Sequence, residues 1–259
     1  MNLSRARVTP ILLLAAGAVL VTTTGCAAWR INQSVELARN SEPLQQRPEN
    51  PTLRLLIVGD STAVGTGASS GYESVAGSIA REYPRLLIEN RARDGAKFAD
   101  VVAQLGGDQH FDILLVQAGG NDVIRMRKLE ALRIDIETVA DRADKVILMP
   151  AGNVGNAPFF FAPVSWLMTQ RSRALHRFVR RAAARTNAGY VNLFHERADD
   201  PFVKNPGLNA SDGLHPSDAG YQAWYRELES QAGLAKRLSS AIGAGSATPA
   251  VASLPRALF

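Results

Sequence analysis

The 259-residue chain has one cysteine, Cys26, so no intramolecular disulfide can form. It also lacks the residues that nucleotide loops need. After Gly59 there is no lysine until Lys97, which excludes the phosphate loop G-x-x-x-x-G-K-[ST], whose lysine reaches the phosphates. Gly65, Gly67 and Gly71 match the first spacing of G-x-G-x-x-G and miss the second. The acidic residue such a fingerprint needs about 20 positions on is also missing, Glu89 being the nearest candidate. No His/Cys/Asp/Glu set has metal-ligand spacing, so neither metal nor cofactor is expected. The formal charge of +5 comes with no basic cluster beside a reader motif, which argues against a nucleic-acid partner. With 46% apolar and 20% charged residues the composition is that of a globular protein. The length suits one α/β domain with extensions and would cramp two.

The first 26 residues differ from the rest. Arg5 and Arg7 precede an apolar stretch, Ile11 to Val21, and no acid occurs before Glu36. A basic start, a short apolar core and small residues describe an export signal, and the apolar run is short for a membrane span. It ends in Thr23-Thr24-Gly25-Cys26, which resembles the lipobox of bacterial lipoproteins, with threonine at position 23 where leucine is usual. That resemblance implies lipidation of Cys26, anchoring to a membrane and a place in the bacterial cell envelope. A plain secretory signal, giving a secreted or periplasmic protein, is the alternative. Residues 27–51 are polar and read as a tether, 52–238 as the folded domain, and 239–259, rich in Ala, Gly, Ser and Pro, as a loose tail. No internal repeat is evident.

Five short apolar runs punctuate the domain: Leu53–Val58, Leu86–Glu89, Asp112–Gln117, Lys145–Met149 and Tyr190–Leu193. They are continuous rather than alternating, as in strands covered on both faces of a parallel sheet. Between them lie helical stripes, Leu129, Leu132, Ile136, Val139, Ala140 and then Ala174, Leu175, Phe178, Val179, Ala182. Strand–helix alternation predicts a doubly wound α/β sheet. In the five-stranded version, of order 2-1-3-4-5, ligands bind between the carboxyl ends of the first and third strands. The first run ends in Gly59-Asp60-Ser61 and the third is followed by Gly119-Gly120-Asn121-Asp122. The two most loaded turns therefore flank the expected crevice.

A serine nucleophile needs a base, an orienter for that base, and donors for an oxyanion. Of the four histidines, only His215 has an acid placed to orient it in a loop, in Ser211-Asp212-Gly-Leu-His215-Pro216. Asp212 could accept from Nδ1–H and leave Nε2 to take the proton of Ser61. Pro216 suits the first position of a following helix. The Ser61 N–H, the Asn121 amide and the N–H of Gly95 are candidate oxyanion donors. Singly, Gly95 also reads as a turn former and Asn121 as a helix cap.

Gly-Asp-Ser on the first strand, a glycine after the second, Gly-x-Asn-Asp after the third and Asp-x-x-His near the end together resemble the SGNH/GDSL hydrolase family, in its block order and over roughly Leu53 to Leu228. The resemblance implies a flavodoxin-like three-layer α/β/α sandwich and metal-free hydrolysis of acyl esters or thioesters. By it Ser61 is the nucleophile, His215 the base and acid and Asp212 the orienter. The Ser61 and Gly95 amides with Asn121 form the oxyanion hole, and Asp60 and Asp122 brace loops. Thr62 stands where the family often has leucine.

Substrate choice rests on loops. The stretch Pro158-Phe-Phe-Phe161-Ala-Pro-Val-Ser-Trp166-Leu-Met168 follows the fourth strand. Phe159, Phe160, Phe161 and Trp166 read either as the wall of an apolar acyl pocket or as a long loop tucked onto the core. Arg171, Arg173, Arg177, Arg180, Arg181 and Arg185 line one helix flank, as a solvated face or as a contact for anionic lipid. The expected activity is that of a lipid or short-acyl esterase. A carbohydrate O-deacetylase is the alternative, and a non-catalytic binding lipoprotein is a third reading. The oligomeric state is not legible.

Overall fold

The computed structural model describes residues 29–106, 110–141 and 145–245. The segment read as an export signal, Cys26 included, lies outside the described residues. A helix over residues 29–39, here α1, comes first. Five parallel strands follow: β1 Leu53–Gly59, β2 Leu86–Asn90, β3 Ile113–Gln117, β4 Val146–Leu148 and β5 Gly189–Tyr190. Their order is 2-1-3-4-5, as expected, and Leu55 of β1 pairs with Ile88 on one side and Ile113 on the other. The intervening helices are α2 (Ser61–Val64), α3 (Val75–Glu82), α4 (Phe98–Gln104), α5 (Gly120–Ile124), α6 (Leu129–Ala140) and α7 (Val164–Thr186). After β5 come α8 (Pro201–Lys204), α9 (Asp218–Ala232) and α10 (Leu234–Gly245).

The continuous apolar runs are explained by the two cores they serve. Along β1, Leu55 and Ile57 point to one face and Leu56 and Val58 to the other, following the period of two of a strand. The first face is covered by α3, α9 and α10 through Ile79, Tyr221, Leu228 and Leu234. The second is covered by α4, α6 and α7 through Val101, Ile136, Leu175 and Val179. The two helical stripes read from the sequence are the buried faces of α6 and α7, although Leu129, in the first turn of α6, stays exposed. The last strand is shorter than its apolar run. Beyond Tyr190, only Val191 still donates to Leu148, and the Asn192 N–H goes to the Gln231 side chain.

Three expectations are corrected. Residues 27–51 are not simply a tether. Besides α1, Gln46 pairs antiparallel with Ile88 on the open edge of β2, and its side-chain amide donates to the carbonyls of Tyr83 and Leu86. Leu44 is buried in the core beside it. The glutamines that made this stretch look solvated saturate a strand edge instead. The tail does not begin at 239, because α10 continues to Gly245. Pro216 is not the first helical residue: α9 starts at Asp218, capped by Ser217, whose hydroxyl accepts from the Gly220 N–H at 3.3 Å.

Candidate active site

Strand β1 ends at Gly59, and Asp60 then caps α2, its Oδ1 accepting from the Thr62 N–H at 2.9 Å and the Thr62 hydroxyl at 2.7 Å. That cap turns the chain sharply and sets Ser61 at the first position of a four-residue helix, facing a cavity of about 780 Å³. The glycines after it are not a phosphate cradle. Gly65 and Gly67 both have φ of +97°, a conformation that costs other residues roughly 1–2 kcal/mol. A Cβ on Gly65 would lie 2.6 Å from Ser74 Cβ, and one on Gly67 would lie 2.9 Å from His215 Cβ. Glycine at 67 lets the His215–Pro216 segment come close, and glycine at 65 makes room for Ser74.

His215 arrives on the turn before α9. Asp212 organises that turn itself, its Oδ1 accepting from the N–H groups of Leu214 (2.9 Å) and His215 (3.0 Å). Its other oxygen, Oδ2, lies 2.6 Å from His215 Nδ1, and His215 Nε2 lies 2.9 Å from Ser61 Oγ. An ionised carboxylate can only accept, so Nδ1 carries the proton and Nε2 is the acceptor facing the serine hydroxyl. Burial by itself pushes the Asp212 carboxyl up. The bond from His215, the charge of His215 and the bonds from Ser34 and Leu214 outweigh it and hold the carboxyl well below its usual range. Asp212 is fully buried and His215 is 8% exposed, so water does little to screen the pair. Two ties lock the serine loop to α9: the buried Tyr221 hydroxyl donates to the Thr66 carbonyl at 2.7 Å, and the Ser69 N–H donates to the Asp218 carboxylate at 2.7 Å.

Gly95 and Asn121 line the same cavity as Ser61. The backbone N–H groups of Ser61 and Gly95 have no acceptor among the described residues. Asn121 uses one amide hydrogen on the Ala96 carbonyl at 3.1 Å, which fixes its side chain and leaves the second hydrogen for the cavity. Asp122 accepts from the Phe98 N–H at 3.0 Å and so ties the turn after β3 to the start of α4. Burial, more than any neighbour, pushes its carboxyl up to about 6, the Phe98 bond and Arg127 opposing and Asp60 assisting. Burial also raises the Asp60 carboxyl, against its two bonds from Thr62 and the nearby His215.

The aromatic stretch divides. Phe159 lines the cavity, and its N–H donates to the Gly213 carbonyl at 3.0 Å. Phe160 packs against the core formed with α7. Phe161 and Trp166 are exposed and do not line the cavity, and the segment becomes helical at Val164. Of the four aromatics expected at a pocket wall or on the core, Phe159 is therefore at the cavity, Phe160 on the core, and Phe161 and Trp166 at neither. The arginine flank is partly engaged: Arg173 reaches Glu196 at 2.6 Å, Arg185 reaches Asp141 at 3.3 Å, and Arg171 donates to the Arg127 carbonyl.

Of the remaining histidines, His195 also lines the cavity, while His110 and His176 lie elsewhere. Burial lowers His176 to about 4, and its ring is clamped between the Tyr190 hydroxyl and the Ala151 carbonyl beneath the cavity. Sequence reasoning missed several cavity residues, among them Ile31, Ser34 and Val35 of α1 and Trp224 of α9. The spacing 31, 34, 35, 38 in a stretch without proline was the available signal for α1.

Residues 57–223 match the GDSL-like lipase/acylhydrolase family. No curated protein is significantly similar in sequence. Solved structures share the fold. The crystal structure of TesA superposes with a TM-score of 0.54 at 21% identity, over 69% of this chain and 97% of that one. Axe2, an acetylxylan esterase from Geobacillus stearothermophilus, does so at 0.53 and 24%, over 71% and 95%. The lipase/acylhydrolase from Enterococcus faecalis gives 0.53 and 17%, over 74% and 96%. With the family match spanning well over half of its length, the chain belongs to the GDSL-like lipase/acylhydrolase family.

Proposed function

We propose that this ester-bond hydrolase works through a Ser61–His215–Asp212 triad and an acyl-enzyme. The observation that carries the reading is the unbroken relay from Asp212 Oδ2 through the imidazole to Ser61 Oγ, with contacts of 2.6 and 2.9 Å, inside the cavity that Gly95 and Asn121 also line. His215 Nε2 takes the Ser61 proton while Oγ attacks the acyl carbon. The carbonyl oxygen gains negative charge and is held by the Ser61 and Gly95 N–H groups and the Asn121 amide, donors of a kind worth about 3–4 kcal/mol each in the barrier. The imidazolium then protonates the leaving alcohol oxygen. Water, deprotonated by the same nitrogen, attacks the acyl-enzyme and frees the acid.

The substrate we favour is a lipid or acyl ester, because Val154, Phe159, Phe202 and Leu214 line the cavity. An O-acetylated carbohydrate is the second reading. It is favoured by Asn205, Asn209, Trp224 and Glu227 on the cavity wall, groups suited to stacking on a sugar ring and bonding its hydroxyls. A set of nitrophenyl esters from acetyl to decanoyl, with acetylated xylan, separates them: turnover rising with acyl length supports the first, acetyl-only turnover the second. No wild-type turnover on any of these would favour a binding protein, and Ser61→Ala serves as the blank.

We further propose that Cys26 is lipidated and holds the enzyme at an envelope membrane. Cys26 stands three residues before Trp29, the first described residue, which is 56% exposed, and the Phe161 ring close to α1 is exposed as well. Arg30 lies 5.2 Å from the centre of that ring. Metabolic labelling with an alkyne fatty acid, lost in Cys26→Ser, tests this.

A further inference from the structure

Helix α1 lies outside the family-matched residues 57–223, yet one of its faces belongs to the cavity. Ile31, Ser34, Val35 and Ala38 all line it, and their spacing of three, four and seven places them on one side of a helix. Three of the four are apolar. The one hydroxyl falls on the triad: Ser34 Oγ donates to Asp212 Oδ2 at 2.6 Å, the same oxygen that receives His215 Nδ1 at 2.6 Å. Ile31 and Val35 remain 53% and 43% exposed although they face a cleft that opens onto Ser61.

We propose that α1 is a working part of the catalytic centre, with Ser34 as a positioning residue for Asp212 and Ile31, Val35 and Ala38 as the wall that receives the apolar portion of the ester. The proposal rests on the triad reading above. Asp212 Oδ1 is fixed by its own turn, through the Leu214 and His215 N–H groups. Among the described residues Oδ2, the oxygen that orients the imidazole, has only His215 and Ser34 as partners, and Ser34 is the one that does not move with the base. A charge-assisted bond of this length is among the stronger kinds. It keeps the carboxylate from following His215 as the ring takes up and gives back its proton. The apolar wall has a matching logic. Half-exposed Ile and Val beside a nucleophile gain from burial only when an apolar group enters. The wall therefore favours longer acyl or alkyl groups over acetyl.

Two arms test this in the full chain. On nitrophenyl acetate, Ser34→Ala should lower kcat three- to tenfold with KM within twofold, and Ser34→Thr, which restores a hydroxyl, should recover most of it. Ser34→Cys, a weaker donor, should fall between and replaces the alanine variant if that one does not fold. Gln33→Ala is the control. It removes a different polar tie of α1, from Ser211 Oγ to Gln33 Oε1 at 3.3 Å, and should leave kcat unchanged. In the second arm, Val35→Asp should lower the octanoate-to-acetate ratio of kcat/KM at least tenfold. Unchanged kcat in Ser34→Ala, an equal loss in Gln33→Ala, or an unaltered chain-length ratio in Val35→Asp overturns the proposal. Ser61→Ala separates the two levels. If it is inactive while Ser34→Ala and Val35→Asp behave as wild type, only the role of α1 falls. If it stays active, the triad reading itself falls.

Discussion

Gly65 and Gly67 share a φ of +97° but face different neighbours, so substituting each separates backbone strain from catalytic damage. Alanine at either position carries the left-handed cost of roughly 1–2 kcal/mol. At position 67 the new Cβ would stand 2.6 Å from the Pro216 carbonyl oxygen and 2.9 Å from His215 Cβ. Carbon atoms pack at about 3.5–4.0 Å, so the histidine segment must withdraw by roughly 0.6–1 Å. The 2.9 Å contact between His215 Nε2 and Ser61 Oγ would stretch past hydrogen-bond range. A misplacement of about 1 Å can cost a hundredfold in rate. Gly67→Ala should therefore lower kcat about a hundredfold with little change in KM, since Gly67 does not line the cavity. In Gly65→Ala the Cβ meets Ser74 Cβ at 2.6 Å instead, away from the relay. It should lose comparable stability in urea unfolding while its folded fraction keeps kcat within a few-fold. Steady-state kinetics on nitrophenyl butyrate, paired with urea melts, reads both. Equal kcat for Gly67→Ala and wild type, or equal catalytic loss in the two variants, would refute the claim that glycine at 67 serves the approach of the base.

Asp212→Asn leaves the shape intact but supplies an amide donor where Nδ1 needs an acceptor, so the imidazole adopts the wrong tautomer. kcat should fall about 10⁴-fold, the scale known for this exchange in Ser-His-Asp hydrolases, far more than the lowered stability seen in a melting curve accounts for. Asn121→Ala removes one oxyanion donor and should lower kcat about 10²–10³-fold with KM nearly constant in the same nitrophenyl assay. Asp122 provides a pH signature of stability. Its folded pKa of about 6 lies above the ordinary 3.8, so the stability linked to its protonation is complete below about pH 3.8 and lost as pH rises through 6. Relative to wild type, Asp122→Asn should gain stability between pH 4 and pH 7.5, by up to about 3 kcal/mol in urea titrations. A difference between the two proteins that does not vary with pH would contradict the buried-carboxyl assignment.

Much of this centre was legible because its chemistry sits at strand ends. The apolar runs marked the strands, the expected order 2-1-3-4-5 put β1 beside β3, and Gly-Asp-Ser and Gly-Gly-Asn-Asp stand at their carboxyl ends. The Asp212–His215 pair was readable because the short spacing closes a turn through the carboxylate's own bonds to backbone N–H groups. The N-terminal segment was not legible for a physical reason. Glutamines that bond a strand edge look the same in composition as glutamines in solvent, and Gln45 and Gln46 do the former. Ser34 escaped notice because a serine on a helix face signals nothing until the carboxylate opposite it is known. The triple phenylalanine divided among cavity, core and surface because its local backbone, rather than its composition, sets where each ring points.

The central claim is that Ser61 is the nucleophile and His215 its base. Incubation with a fluorophosphonate followed by intact-mass and peptide analysis tests it most directly. A single adduct on Ser61, absent in Ser61→Ala and formed at least a hundredfold more slowly in His215→Ala, is the predicted result. Labelling of another residue, or none in an enzyme that still turns over esters, would contradict it.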